Sequence, residues 1–154
     1  MRMNALEVAN AVLEAVCVEI AQNGDLLLLQ SEQAAIAGHV NNVDPVDVEA
    51  TLNKRHLTDL VPGAVFENSY EKLMACGRAI IKIWSERIAL HFPSHVVLFF
   101  LGGAEDVVLR FHVRRKGIAD WTDLNDRDFL ISNRLEIYEL RGERLEKIAP
   151  RSSP

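Results

Sequence analysis

Apolar and polar positions alternate along this chain with two different periods. From Asn4 to about Gln22, Leu6, Val8, Val12, Leu13, Val16, Val18 and Ile20 cover more than one face of a helix, and only Glu7, Asn10 and Glu14 form a polar stripe. Asn4 can cap this helix, with Glu7 three residues on as in a capping box. A helix so apolar wants cover on most sides, as the centre of a bundle or with part of its surface against a second chain. Asn23-Gly24-Asp25 signals a turn. Leu26–Leu29 reads equally well as strand or helix. Ser31 caps a short helix to about His39. Asp44-Pro45 starts another, with Asp at the cap, Pro at the first helical position and Asp47 in the first turn, running to about Asp59. Val61-Pro62-Gly63 then marks a boundary.

The second half opens on a long helix, predicted over 68–91. Tyr70, Leu73, Met74, Gly77, Ile80, Ile81, Trp84 and Ile88 form one stripe, and Phe92-Pro93 stops it. After it the period changes to two. His95–Leu101 and Asp106–Arg115 read as a hairpin around Gly102-Gly103. Lys116–Phe129 reads as a loop, Leu130–Leu140 as a third strand and Arg144–Ile148 as a short fourth. The helix stripe is expected to lie on the apolar face of this sheet, against Val97, Phe99, Leu109, Phe111, Leu135 and Ile137, with the other face wet. The fold class predicted is α+β. An acidic helical subdomain (1–62) is followed by the long helix on a three- or four-stranded antiparallel meander (67–150), and 151–154 form a tail.

Charge sharpens that division. The chain of 154 residues carries a net −5, but residues 1–65 hold three basic and nine acidic side chains, whereas 66–154 hold fourteen basic and thirteen acidic. The two cysteines, Cys17 and Cys76, lie inside apolar periodic segments and are expected to be reduced and buried. Acidic residues interrupt the apolar N-terminal run, so neither a signal peptide nor a membrane span is expected, and a cytoplasmic location follows by default.

Several motifs compete for a function. Residues 31–59 have the outline of a helix-turn-helix, with Lys54, Arg55 and His56 as the groups able to reach phosphates. Its acidic balance, and Asp47 and Glu49 at the start of the reading helix, weigh against nucleic acid. His91 and His95 have a metal-ligand spacing, but Pro93 ends the helix between them, and no metal or cofactor is expected. The run Asp120–Asp128 departs from a calcium loop at its Gly and Glu positions. No catalytic motif is present, and the chain is expected not to be an enzyme.

The strand from Val107 carries a basic comb. Arg110, His112 and Arg114 alternate with Leu109, Phe111 and Val113, so they share the face predicted to be wet. Glu136 and the aspartates of 120–128 are expected to compensate them, rather than leaving an anion site. Together Arg110, His112, Arg114, Asp120, Trp121, Asp123, Asp126 and Asp128 define a mixed-charge surface, with Trp121 as an aromatic anchor. The function this implies is a small protein-binding module of the immunity-protein, inhibitor or secretion-chaperone type, with a basic partner protein and room for a homodimer. A DNA-binding regulator using 31–59, with the second half for dimerisation or sensing, is the alternative. A third reading is a small-molecule pocket between the long helix and the sheet.

Overall fold

The computed structural model describes residues 5–30, 43–60 and 66–148. The predicted helix Ser31–His39, the boundary Val61–Gly63 and the tail 151–154 lie outside the described residues. The fold is α+β. Helix α1 (Ala5–Cys17) leads into a hairpin of β1 (Ile20–Asn23) and β2 (Leu26–Leu29). Helix α2 (Pro45–Leu52) and the two-residue strand β3 (Arg55–His56) follow. The long helix α3 (Phe66–His91) precedes β4 (Val96–Gly102), β5 (Val108–Val113), the short helix α4 (Arg127–Ser132), β6 (Glu136–Arg141) and β7 (Arg144–Ile148).

The main sheet is antiparallel with strand order β3-β5-β4-β6-β7, so it has five strands rather than three or four. The additional strand comes from the N-terminal half. The sequence extends the second helix to Asp59, but α2 stops at Leu52, and Arg55 and His56 pair with Leu109 and Val108 at the edge of β5. Similarly, the first helix gives way at Cys17 rather than Gln22. Ile20–Asn23 instead pairs with Leu26–Leu29 around Gly24, and all four leucines are buried. A local hairpin satisfies the facing backbone groups of the two strands at little loop-closure cost.

One core spans both sides of the expected boundary. Ala15, Leu27, Leu29 and Leu57 pack with Leu73, Ile80, Trp84 and Ile88 of α3 and with Val97, Phe99, Leu109 and Phe111 of the sheet. The α3 stripe thus lies on the sheet as its spacing predicts. Gly77 permits the close approach, because a Cβ there would fall 2.3 Å from a Leu101 methyl.

Two expectations change. The second face of the sheet is not wet: Leu98, Phe100, Leu130 and Ile137 form a separate buried cluster there, joined by Trp121, Leu124 and Leu135. Residues 114–135 fold across the face as a third layer. Leu135 and Ile137, expected beneath α3, belong to this outer cluster, and Tyr138 and Leu140 pack on the α3 side instead. The register explains it, since Phe99 lies opposite Tyr138 and Phe100 opposite Ile137. A slip of one residue exchanges the faces of a whole strand. The slip arises because Leu130–Ser132 are helical. Asp126 caps α4 by accepting the Phe129 N–H. The helix ends in a Schellman motif: Leu135 N–H bonds Leu130 O, Arg134 N–H bonds Ile131 O, and Arg134 takes the left-handed position at φ 50°.

Candidate functional site

Arg110 and His112 of β5 and Arg114 just past its end alternate as predicted, yet the outer layer gives each a different environment. His112 has no exposed surface. Its ring stacks on Phe100 at 5.4 Å, and Nε2 accepts the Trp121 backbone N–H at 3.3 Å. Nδ1 lies 3.1 Å from the Val113 carbonyl, and Asp120 stands 4.0 Å from Nε2. Burial holds the imidazole below its ordinary pKa, against the opposing pull of the Val113 carbonyl and Asp120. Arg114 bridges Asp120 at 3.2 Å and Glu139 at 2.9 Å. Arg110 lies over the Trp121 ring at 3.9 Å, and among the described residues its guanidinium makes no hydrogen bond and no ion pair.

Glu136 does not meet this comb. It lies on the α3 side, bound by Arg78 at 2.9 and 3.0 Å, Lys147 at 2.9 Å and Tyr138 Oη at 2.6 Å. Those partners, Arg78 foremost, lower its pKa to about 2, while burial and the adjacent carboxylate push Tyr138 up to about 12. Glu139, three residues on and on the opposite face of β6, is what compensates Arg114.

Trp121 is packed on Phe100 at 5.2 Å beneath Arg110, so the indole is a strut of the outer layer. Asp120 is largely covered and faces Arg114 and His112. Asp123 accepts the Asn125 N–H and side-chain amide, closing a turn. Asp126 caps α4, and Asp128 is exposed in its first turn. Beside these three aspartates, α4 exposes Phe129 (38 %) and Ile131 (64 %). The sequence pattern puts Phe129 at a loop end and Ile131 in a strand; Asp126 as a helix N-cap, with Asp128 in the first turn, is the signal for α4.

The second group, Lys54, Arg55 and His56, follows α2 instead of extending it. Arg55 and His56 are in β3. His56 Nδ1 pairs with Asp106 at 2.6 Å, and Thr58 donates to the other Asp106 oxygen at 2.8 Å. This fixes an imidazole as an acid–base dyad would, but among the described residues no Ser, Thr or Cys side chain is bonded to the His56 ring.

Glu49 and Asn53 were missed as a pair. Both are fully buried and one turn apart, Glu49 on α2 and Asn53 at its C-cap. Glu49 accepts backbone N–H groups from Leu27 and Val113, and both carboxylate oxygens take an Arg115 N–H at 2.8 Å. Asn53 accepts from Leu29 N–H and donates to the Leu27 carbonyl at 2.8 Å and, more weakly, to Phe111 O at 3.4 Å. Side chains of α2 thus continue the ladder where β3 ends, tying β2 to β5. The signal was present: Val46, Glu49, Ala50 and Asn53 share one helical face, and Arg115 falls on the apolar parity of its strand.

Among the described residues, no three His, Cys, Asp or Glu side chains are grouped to hold a metal, and no helix is long and apolar enough to cross a membrane. Both cysteines are free thiols; Cys76 is buried, whereas Cys17 is exposed. Comparison of the chain with protein-family models, with curated proteins and with solved structures returned no match.

Acid is expected to weaken the fold through His112. The unfolded chain takes up a proton near the ordinary histidine pKa of 6.5, and the folded protein resists it. Stability is therefore level above that pH and falls below it, by up to ~1.4 kcal/mol per pH unit. Urea midpoints at pH 7.5, 6.5 and 5.5 check this against His112→Phe, which should show a shallower decline. Equal slopes would remove His112 from the account.

Proposed function

We propose that the protein is a binding module that acts through another protein, using α4 and the acidic loop before it. The observation that carries this reading is the pairing of exposed Phe129 and Ile131 with exposed Asp123, Asp126 and Asp128 on a segment that is itself well anchored. Trp121, Leu124, Leu130 and Leu135 fix the segment to the sheet, so its apolar anchors need little ordering when a partner docks. The aspartates outnumber the single cation, Arg127, and suit a partner with a basic surface, which they would steer and orient. The aromatic anchor is thus Phe129 rather than Trp121. An inhibitor, immunity protein or secretion chaperone would use such a face without catalysis, which keeps the expectation of a non-enzymatic role.

Capture from the source cell tests it. Wild type should retain a partner in a salt-sensitive manner, and Phe129→Asp/Ile131→Asp should lose it by roughly tenfold or more while keeping its unfolding midpoint. Equal retention by the folded double variant would refute the assignment. A second copy is a further partner of interest, since α1 exposes Leu6 (69 %) and Leu13 (58 %) about two helical turns apart.

A further inference from the structure

We infer that the groove beside α4 is a binding site for a carboxylate carried on a small apolar or aromatic body, with Arg110 as its anion-binding group. The groove measures about 390 Å³, within the lower range of small-ligand sites. Arg110 enters it from β5, and Trp121 lies beneath the guanidinium. Phe100, Val108, Phe129 and Leu135 supply apolar walls. The site draws on Arg110 and Trp121, and it extends the binding role proposed for α4 to a different kind of occupant.

Arg110 differs from the other arginines around it. Arg114, Arg115, Arg78 and Arg141 each meet a carboxylate. Arg110 is less exposed than Arg78 or Arg141, yet among the described residues it has only an aromatic face. Covered cations are ordinarily paired, since withdrawing charge from water is costly. At 3.9 Å the indole face holds the guanidinium but accepts no hydrogen bond from its edge. That edge matches the two oxygens of a carboxylate. Two acidic residues also line the groove. Asp106 is already committed to His56 and Thr58, and Glu105 is an exposed turn residue. Neither bonds Arg110, and together they disfavour a multiply charged anion such as a phosphate, leaving a monoanion with an apolar body.

The carboxylate has two sources, a free organic acid or the C-terminus of a peptide. Titration of the 15N-labelled protein with 3-phenylpropionate, and separately with a tetrapeptide ending in free phenylalanine, distinguishes them. Each acid is compared with its own primary amide. The expected result is saturable movement of the Arg110 Nε–H and Trp121 indole resonances with at least one acid, and binding of its amide weaker by roughly tenfold or more. Whichever acid binds more tightly identifies the source. Arg110→Gln should abolish the preference for the acid, and Arg110→Lys should restore only part of it. Equal binding of acid and amide to the wild type, or saturable movement with neither acid, would overturn the proposal and needs no variant to fold. Retention of the acid preference by Arg110→Gln would overturn Arg110's role.

Discussion

Replacing Glu49 with alanine should cost about 3–5 kcal/mol of stability, the usual penalty for removing one partner of a buried ion pair. The carboxylate is fully buried and occupied on every side, by two Arg115 N–H groups and by the backbone N–H groups of Leu27 and Val113. Its loss strands a guanidinium that is mostly covered and orphans two buried amides. Arg115 also donates to the Asp25 carbonyl, so Glu49 positions the side chain that holds the β1–β2 turn. Urea unfolding of Glu49→Ala measures the loss. Adding Arg115→Met should recover part of it, because the stranded charge is then gone. A loss below about 1 kcal/mol would mean that the α2 clamp does not hold the two sheets together.

Substituting alanine at Gly102 is expected to cost roughly 2–4 kcal/mol, by combining backbone strain with overpacking. Gly102 ends β4 at φ +142°, a conformation that side-chain-bearing residues rarely adopt. A Cβ there would fall 2.4 Å from the Arg134 carbonyl oxygen, and that neighbour is backbone. The Arg134 backbone is itself pinned by the Schellman motif closing α4, so relief requires moving the outer layer. The thermal midpoint of Gly102→Ala, with Gly142→Ala as comparison, reads the effect. Gly142 also has positive φ, but open space surrounds it, so its cost is conformational alone. Equal shifts for the two would show that the layer does not press on β4.

The parts of the fold governed by a single period were legible from the residues. The α3 stripe, the β4–β5 hairpin and the Asp44-Pro45 start of α2 each state one face or one terminus. The outer layer was not, for a physical reason. Its cover comes from Trp121, Leu124, Leu130 and Leu135, whose spacing follows neither period because turns and a six-residue helix separate them. Without that cover, β5 reads as a half-wet strand and its basic residues as equivalent. With it, His112 is interred, Arg114 is doubly paired and Arg110 is left with an indole. The parity of β6 was ambiguous for a related reason. Ile137 on one side, and Tyr138 and Leu140 on the other, offer apolar faces both ways, and only α4 decides between them.

If residues 114–135 form a fixed layer on the sheet, they hold Phe129 and Ile131 in place for a partner. Amide hydrogen exchange of the protein alone tests it most directly. The account predicts slow exchange at Trp121, whose N–H bonds His112, and at Leu130 and Leu135, whose N–H groups bond Asp126 O and Leu130 O. Asp128, in the first turn of α4, should exchange quickly as an internal reference. Exchange at Trp121, Leu130 and Leu135 as fast as in an unfolded chain would contradict it, leaving the acidic run a solvated loop and its apolar residues unfit to act as preorganised anchors.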